Sequence, residues 1–302
     1  PPSNDVDLYA HCLSYIAIIE DEKIIGYNVA VGGGMGMTHG SEDTFPRLAD
    51  VIGFATPDKI IDVSEKVMLV QRDFGNREDR KQSRLKYTVE NMTPEGFRAK
   101  LEEYLGYELE EAKEFEFTTN GDRFGWSTNN GTHKNSAGNS NLTLFISGGR
   151  ILDTADYPMK TGLRVIAETL RDLPDSHADF RLTTNQNAII ANLTDAERKL
   201  IEPLLEKYGL TKSLDSSALR LNSIACVALP TCALALAEAE RYLPDVVTDL
   251  EEVIEECGLR HDAITIRMTG CPNGCGRPFI AEIGFVGRSP GKYNVYLGGG
   301  FF

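Results

Sequence analysis

The sequence predicts an α+β protein in which two copies of a related module flank a segment of alternating strands and helices. Three features lead to this prediction. A strand followed by a triple glycine occurs near both ends of the chain, strand and helix patterns alternate in the middle, and two close cysteine pairs lie in the last third. At 302 residues, the chain is long enough to bury more than one hydrophobic core.

The composition is typical of a soluble protein that binds neither nucleic acid nor membranes. Apolar residues make up 41% of the chain, charged residues 25%, and the net charge is −14. Such an acidic chain is repelled by nucleic acid and by anionic lipid surfaces. No apolar run approaches the roughly 20 residues of a membrane span, and no signal-peptide pattern opens the chain. Six cysteines, two of them without a close partner in sequence, suit a reducing compartment, so a cytoplasmic location is expected.

The first module opens with two predicted strands and a glycine loop. Residues 15–19 and 24–31 are rich in β-branched side chains and are separated by a polar turn. The glycine loop, residues 32–36, reads Gly-Gly-Gly-Met-Gly. Such a loop lets the backbone approach a ligand closely and can present N–H groups to an anion, although a flexible turn would have the same composition.

Two helices are predicted next, each begun by a Thr-Pro pair. Thr56 and Thr93 are suited to cap a helix, and the proline that follows suits its first position. Gly75 and Gly106 are expected to end the two helices. The first helix has a predicted apolar face made of Ile60, Ile61, Val63, Val67, Met68 and Val70.

A dense basic stretch lies between these helices. It consists of Arg72, Arg77, Arg80, Lys81, Arg84 and Lys86. A solvated helix face is the ordinary explanation of such a run of charges. Because the chain as a whole is so acidic, binding of an anion by these residues remains open as the alternative.

The middle of the chain predicts a β-α-β-α order after a long polar loop at 118–141. The expected elements are a strand (142–146), a hairpin turn (148–149), a helix (160–172), a strand (179–191) and a helix (195–208). Thr194 and Glu197 form a capping-box pattern at the start of the second helix. This order is typical of half of a ferredoxin-like sandwich.

Two cysteine pairs form the most specific chemical motif. Cys226 and Cys232 are separated by five residues and Cys271 and Cys275 by three, with a proline inside each pair. Structural zinc prefers shorter spacings, whereas each iron of a [4Fe–4S] cluster is held by one thiolate. We therefore expect the four thiolates to hold a [4Fe–4S] cluster. Disulfides, structural zinc and buried apolar cysteines are the alternatives.

The segments around the cysteine pairs are predicted to be helical. Residues 233–241 are rich in alanine, so Cys232 is expected at a helix N-terminus, where the helix dipole favours an anionic ligand. Pro244 is expected to begin a further helix. Cys257 lies on the apolar face of that helix and Cys12 has no partner at ligand spacing, so both are expected to pack in the core.

The two ends of the chain repeat each other. Residues 27–29 and 293–295 both read Tyr-Asn-Val, and both lead into a triple glycine. Chance similarity of two strand-to-glycine segments is the alternative. Each copy has parts that the other lacks, so both modules are expected to be incomplete. The predicted domains are a first module at 1–125, a ferredoxin-like half domain at 126–212, and a second module with the cysteines at 213–302.

These motifs together resemble the sirohaem-dependent sulfite and nitrite reductases. The resemblance covers essentially the whole chain, and the cysteine motifs that carry it are highly specific. It implies duplicated sirohaem-binding α/β modules on either side of the ferredoxin-like half domain. Further segments look like the sulfite branch, the hemoprotein (beta) component: residues 4–7, 71–73, 121–123, 180–186 and 293–299.

The resemblance implies two cofactors and a set of binding residues. A [4Fe–4S] cluster would be held by Cys226, Cys232, Cys271 and Cys275, and the Cys275 thiolate would also bridge to the iron of sirohaem. Electrons from a flavoprotein or ferredoxin would pass through the cluster to sulfite. Cys275 and Asn273 are the catalytic candidates. The candidates for binding the anionic sirohaem are Arg84, Lys86, Arg123, Arg181 and Asn185.

The expected activity is the reduction of sulfite to sulfide, for which metal and macrocycle must carry the electrons. In the family, two arginines and a Lys-x-Lys pair surround sulfite, and by resemblance they precede Pro1. This chain by itself is therefore not expected to reduce sulfite. A nitrite reductase of the same family and a non-catalytic iron–sulfur or zinc module are the alternatives.

Overall fold

The structure, a computed structural model, describes residues 3–129 and 138–300. Within these ranges the strands are β1 (Ser3–Asn4), β2 (Leu13–Glu20), β3 (Lys23–Val31), β4 (Asp50–Ala55), β5 (Thr119–Asn120), β6 (Gly125–Thr128), β7 (Ser140–Leu144), β8 (Asp179–Leu182), β9 (Ala188–Leu193), β10 (Ser223–Ala225), β11 (Ile266–Thr269), β12 (Ile283–Ser289) and β13 (Lys292–Leu297). The helices are α1 (Ile60–Phe74), α2 (Leu85–Met92), α3 (Pro94–Leu105), α4 (Met159–Arg171), α5 (Asp195–Lys207), α6 (Ala218–Leu221) and α7 (Leu243–Glu256). None of these helices has the length and apolar character needed to cross a membrane. The mixture of helices and sheets confirms the predicted α+β class.

The chain forms two compact units, each built from separated parts of the sequence. Unit 1 comprises Pro1–Asn120, Ala228–Glu238 and Arg267–Phe302, and unit 2 comprises Gly121–Val227 and Ala239–Ile266. Residues 213–302, predicted as one module, are therefore shared between the two units.

The reason for this division lies in α7. Its Glu251 carboxylate accepts hydrogen bonds from the Ser217 hydroxyl and from an Arg220 Nη, both at 2.6 Å. These contacts fix α7 to the segment that precedes Cys226, and so to unit 2 rather than to the second half of the repeat.

Unit 1 contains a three-stranded antiparallel sheet, β2-β3-β4, which shares a core with α1, α2 and α3. β2 and β3 form the predicted hairpin. The C-caps of α1 and α3 are Gly75 and Gly106, as predicted. Val63 on α1 and Phe97 on α3 are fully buried in this core. Burial of such apolar side chains, more than helix propensity, is what stabilises helices of this length.

The backbone of unit 1 shows the internal repeat. In each copy, a residue with left-handed backbone angles precedes a three-residue 3-10 helix, a β-hairpin and a triple glycine. That residue is Asp7 in the first copy (φ 49°, ψ 52°) and Arg277 in the second (φ 53°, ψ 48°). In both copies a Cβ on the second glycine, Gly33 or Gly299, would lie 2.4 Å from the carbonyl oxygen of the residue that follows the 3-10 helix. The predicted repeat is confirmed, and it includes the segments that precede the strands.

Unit 2 contains a four-stranded antiparallel sheet in the order β6-β7-β9-β8, which shares a core with α4 and α5. Ile166 on α4 and Ile190 on β9 are fully buried there. The predicted alternation of strands and helices is confirmed, with two exceptions. Residues 147–149 form a 3-10 helix instead of the predicted hairpin turn, and the strand predicted at 179–191 is the hairpin of β8 and β9. Thr194 and Glu197 form the predicted capping box at the start of α5.

Two predictions near the cysteines are wrong. Residues 233–241 form no α-helix, because the N–H groups of Leu236 and Ala237 donate to the carbonyl of Gly270 (2.8 and 3.0 Å) instead of to a helical partner. Cys257 is the exposed C-cap residue of α7 rather than a core residue. The apolar pattern correctly predicts the face of α7 on which Cys257 lies. At the last turn of the helix, however, no neighbouring element covers that face.

The other differences concern α1 and the polar segment 118–141. Ile61 and Met68 on the predicted apolar face of α1 are 78% and 63% exposed, so the buried stripe is narrower than predicted. The segment 118–141 contains β5, β6 and the start of β7 instead of being a loop throughout, and its residues 130–137 lie outside the described ranges.

Candidate metal centre

The cysteine loop, residues 271–277, follows β11 in unit 1 and turns tightly at Gly274. The N–H of Gly274 donates to the carbonyl of Cys271 (3.3 Å). Gly274 has φ +66°, and a Cβ there would lie 2.7 Å from the carbonyl oxygen of Met35, so only glycine fits. The loop buries Cys271, which is 7% exposed, and leaves Cys275 at the surface.

The Cys232 segment, residues 228–238, is joined to the chain immediately before Cys271. The N–H groups of Leu236 and Ala237 in this segment donate to the carbonyl of Gly270. A Cβ on Gly270 would lie 2.6 Å from the Cβ of Ala228, so the two segments are in direct contact at this glycine. Cys232 itself is half-buried. The structure thus joins a segment from one cysteine motif to a segment from the other.

The glycine loop packs against the cysteine loop. The N–H of Met37 donates to the carbonyl of Pro272 (2.8 Å), and a Cβ on Gly36 would lie 3.0 Å from the carbonyl oxygen of Asn273. Asn273 is exposed at this junction. The structure supports close backbone approach, and not a flexible turn, as the explanation of the glycine loop. The group that the loop approaches is the backbone of the cysteine loop and not a ligand.

Lys86 lies beneath the glycine loop and is completely buried. Its Nζ donates to the carbonyls of Gly34 (3.2 Å), Gly36 (2.6 Å) and Phe45. Burial lowers the pKa of Lys86 to about 8, and the nearby charge of Arg84 acts in the same direction. An ammonium group has three donors, so these carbonyls use all of them.

The rest of the basic stretch is exposed. Arg84 lies beside the glycine loop, with Nη2 3.5 Å from the Sγ of the half-buried Cys12. Arg72 forms a surface ion pair with Asp73 (2.6 Å), and hydrogen bonds from Arg72 and Tyr104 lower the pKa of Asp73 to about 2. A solvated face is therefore the better description of Arg72, Arg77, Arg80 and Lys81.

A buried ion cluster in unit 1 was not predicted. The carboxylate of Asp7 accepts from Nη1 (2.6 Å) and Nη2 (3.1 Å) of Arg267 and also from the Nε of Arg277. Burial alone would raise the pKa of Asp7, but the charges and hydrogen bonds of the two arginines outweigh it and hold the pKa below its ordinary value. Two hundred and sixty residues separate Asp7 from Arg267. The equivalent positions of Asp7 and Arg277 in the repeat are the sequence signal that could have revealed the pair.

Cys226 belongs to unit 2, where a buried acid fixes its backbone. The N–H of Glu240 donates to the carbonyl of Cys226 (3.1 Å). The Glu240 carboxylate is 6% exposed and binds Arg150 through Nε and, at 2.6 Å, through Nη2. This arrangement, which the sequence did not predict, ties Cys226 to the turn after β7.

Asp122 organises the predicted sirohaem-binding segment of unit 2. Its carboxylate accepts from the hydroxyl of Thr183 (2.6 Å) and from the side-chain amides of Asn185 (3.1 Å) and Asn187 (2.7 Å). Asn185 is 8% exposed, whereas Arg123, the residue after Asp122, is exposed. The network joins the segment that contains Asp122 and Arg123 to the turn after β8.

The predicted site residues therefore divide between the two units. Unit 1 contains Cys232, Cys271, Cys275, Asn273, Arg84 and Lys86. Unit 2 contains Cys226, Arg123, Arg181 and Asn185. Arg181 forms an exposed ion pair with Asp179 on β8 (3.0 Å). The role predicted for each residue stays a prediction.

The candidate metal ligands are cysteine thiols that form no disulfide bonds. All six cysteines lie in the described ranges, and none forms a disulfide. Across residues 3–129 and 138–300, no three His, Cys, Asp or Glu side chains are grouped closely enough to hold a single metal ion.

Comparison with known proteins identifies close relatives along the whole chain. Residues 1–109 match the family described as the nitrite and sulphite reductase 4Fe-4S domain. The chain is 54% identical to the sulfite reductase [NADPH] hemoprotein beta-component of Anoxybacillus flavithermus over 302 residues, which are 51% of that protein. It is 53% identical over 301 residues to the Bacillus licheniformis protein of the same name, of which it covers 50%. The chain thus spans about half the length of these relatives.

A solved structure shows the same architecture. The structure of the Mycobacterium tuberculosis NirA protein matches with a TM-score of 0.79 and 27% sequence identity, covering 98% of this chain and 52% of that one. The resemblance that the motifs predict is therefore confirmed over the length of the chain.

Proposed function

We propose that this chain, which belongs to the nitrite and sulphite reductase family, is the cluster-binding part of a sulfite reductase hemoprotein. Cys226, Cys232, Cys271 and Cys275 would hold a [4Fe–4S] cluster, and Cys275 would also be the protein's ligand toward sirohaem. The relatives named above are sulfite reductases, which favours sulfite over nitrite as the substrate.

One observation carries the cluster proposal. The segment that contains Cys232 and the loop that contains Cys271 and Cys275 are distant in sequence, yet they are joined through the carbonyl and the missing side chain of Gly270. Such a contact has to form before cysteines from two motifs can share one cofactor.

The donor chemistry fits this cofactor. Cysteine thiolates are the usual ligands of a cubane cluster, and each thiolate binds a different iron. The cluster therefore needs no three side chains on one metal ion, the grouping that the described residues lack. The exposed Cys275 and the buried Cys271 also suit different tasks: an outer thiolate can reach a second cofactor, whereas an inner one only anchors the cluster.

The basic and amide residues would hold the anionic haem and substrate. Arg84, Arg123 and Arg181 are exposed cations in an acidic chain, and each can donate charge-assisted hydrogen bonds to a carboxylate. Asn185 and Lys86 already contact protein acceptors, so they would support the site by fixing the backbone beside it. Asn273, exposed beside the glycine loop, is the candidate to hydrogen-bond the substrate. The bound cofactors would supply the electron transfer that side chains cannot.

The partner we propose is an electron donor of the flavoprotein type. The names of the relatives specify NADPH, which favours a flavoprotein over a ferredoxin. The cytoplasm is the proposed location, because clustered thiols and iron–sulfur chemistry suit a reducing compartment.

Anaerobic reconstitution with iron and sulfide tests the proposal. Purified protein should take up four irons per chain with cluster absorption, and serine at any of the four proposed ligands should sharply reduce the bound iron. Cys257→Ser is the matched control, since Cys257 is exposed and lies outside both motifs. Full iron uptake by the Cys226→Ser or Cys271→Ser protein would contradict the ligand assignment.

Sirohaem binding needs a separate measurement. Added sirohaem should bind to the reconstituted protein, and Cys275→Ser should change its visible spectrum, whereas Cys226→Ser should lower bound iron without a specific change at the haem. Identical haem spectra for the two variants would remove the bridging role from Cys275.

A further inference from the structure

We propose that Asp7, in the first copy of the repeat, is a positioning residue for the cluster-binding loop of the second copy. Asp7 holds Arg267 and Arg277, which bracket the cysteine loop, and so fixes the loop in the shape that receives the cluster. This inference rests on the proposed function and extends it to residues outside both cysteine motifs.

The geometry places one carboxylate between the two ends of the loop. Arg267 lies on β11, four residues before Cys271, and Arg277 lies two residues after Cys275. Asp7 binds Arg267 through two hydrogen bonds of 2.6 and 3.1 Å and binds Arg277 through its Nε. Asp7 is 3% exposed and the Arg267 side chain 4%, so water does not compete for these contacts.

The charges of Asp7, Arg267 and Arg277 have a second consequence. Arg267 and Arg277 carry positive charge close to the cysteine loop, and Asp7 carries a negative charge that contacts both of them. A [4Fe–4S] cluster with four thiolates is anionic, so the two guanidinium groups would favour its binding and its reduction, and the Asp7 carboxylate would oppose both. A buried ion pair is weak evidence for stability alone, because apolar residues of the same volume often serve as well. Because Asp7 contacts arginines at both ends of the cysteine loop, a role in fixing the geometry of that loop is favoured.

The first test uses the protein without metal, so it does not depend on the proposed function. Cys271 is 7% exposed in the folded loop, so we expect any opening of the loop to expose its thiol. Asp7→Asn preserves the size of the side chain and removes its charge, and we expect the thiol of Cys271 to react at least tenfold faster with a disulfide reagent. The reaction is followed in a Cys12→Ser, Cys257→Ser background, with the labelled site identified by peptide mapping. An unchanged rate at Cys271 in folded Asp7→Asn protein would overturn the proposal.

The second test measures the reduction potential of the reconstituted cluster. Asp7→Asn removes a negative charge and should raise the potential, whereas Arg277→Gln removes a positive charge and should lower it. A merely structural role would not produce shifts of opposite sign. If both variants shift the potential in the same direction, or neither shifts it, the electrostatic part of the proposal is wrong.

The controls separate folding from positioning. Asp21→Asn is matched to Asp7→Asn, because Asp21 also has a positive φ (47°) but is exposed in the turn between β2 and β3; it should change neither readout. If Asp7→Asn protein does not fold, as judged by circular dichroism, Arg277→Gln carries both tests, since Asp7 keeps Arg267 as its partner. If wild-type protein takes up no cluster, the proposed function fails, and the reactivity of Cys271 still decides whether Asp7 positions the loop.

Discussion

Asp7 and Arg277 occupy the same position in the two copies of the repeat, and their side chains form an ion pair with each other. Both residues have left-handed backbone angles and both start a 3-10 helix that leads into a hairpin. The two equivalent positions therefore carry opposite charges. The ion pair joins the copies at the point where the second copy contains its cysteines.

Lys86→Met should destabilise unit 1 by about 2–4 kcal/mol, because the carbonyls of Gly36 and Phe45 lose their Lys86 donor, whereas the carbonyl of Gly34 keeps the N–H of Arg47. The measurement is urea denaturation of the metal-free protein. Lys81→Met, in the same basic stretch but exposed, is the matched control and should stay within about 0.5 kcal/mol of wild type. Equal stabilities of the two variants would show that the Lys86 contacts contribute nothing.

The pH dependence of stability should reveal the ionisation of Lys86. Its pKa is lowered from 10.5 to about 8 in the folded protein, so between these values the unfolded chain binds more protons than the folded one. Stability must then increase as pH rises from about 8 toward 10.5, by roughly 3 kcal/mol in total, and this slope should be missing below pH 8.

Comparison with Lys86→Met isolates this contribution, since Arg84, Tyr87 and Cys12, the groups that face position 86, are present in both proteins. The quantity to compare is the difference in unfolding free energy between wild type and variant at pH 7.5 and at pH 9.5. A difference that does not change with pH would mean that Lys86 keeps an ordinary pKa.

Gly270→Ala should separate the Cys232 segment from the cysteine loop. The new Cβ would lie 2.6 Å from the Cβ of Ala228 and 2.7 Å from the carbonyl oxygen of Ala237, so backbone must move. We expect a loss of stability of about 1–3 kcal/mol and a lower iron content after reconstitution. Gly96→Ala is the control, because its Cβ would have no atom closer than 3.6 Å and helix α3 favours alanine. Normal iron uptake by the Gly270→Ala protein would mean that this contact does not position Cys232.

Arg150→Met should loosen the backbone at Cys226. Without Arg150 the buried carboxylate of Glu240 loses its charged partner, and the hydrogen bond from the Glu240 N–H to Cys226 is held less firmly. Hydrogen exchange of the Glu240 amide reports this directly and should accelerate about tenfold or more. Arg181→Met breaks an exposed pair in the same unit and should leave this amide unchanged. Equal exchange rates in both variants would count against a role for Arg150.

The sequence by itself determined the features that depend on neighbouring residues. The helix ends at Gly75 and Gly106 and the capping box of Thr194 and Glu197 follow from the local backbone and its hydrogen bonds, and all appear as predicted. The repeat and the α+β class were also readable, because strand and helix periodicity are local patterns. The cysteine spacings suggested the cofactor before any contact was known.

Tertiary structure alone decided which polar groups are buried and what each donor binds. Lys86 and Arg72 belong to one basic stretch, yet Lys86 is fully buried and Arg72 is exposed. Their surroundings come from distant parts of the chain: the glycine loop covers Lys86, and solvent surrounds Arg72. The alanine-rich segment 233–241 has helix propensity, but the carbonyl of Gly270 takes its donors. Propensity differs by less than about 1 kcal/mol per residue, so contacts that arise only on folding override it.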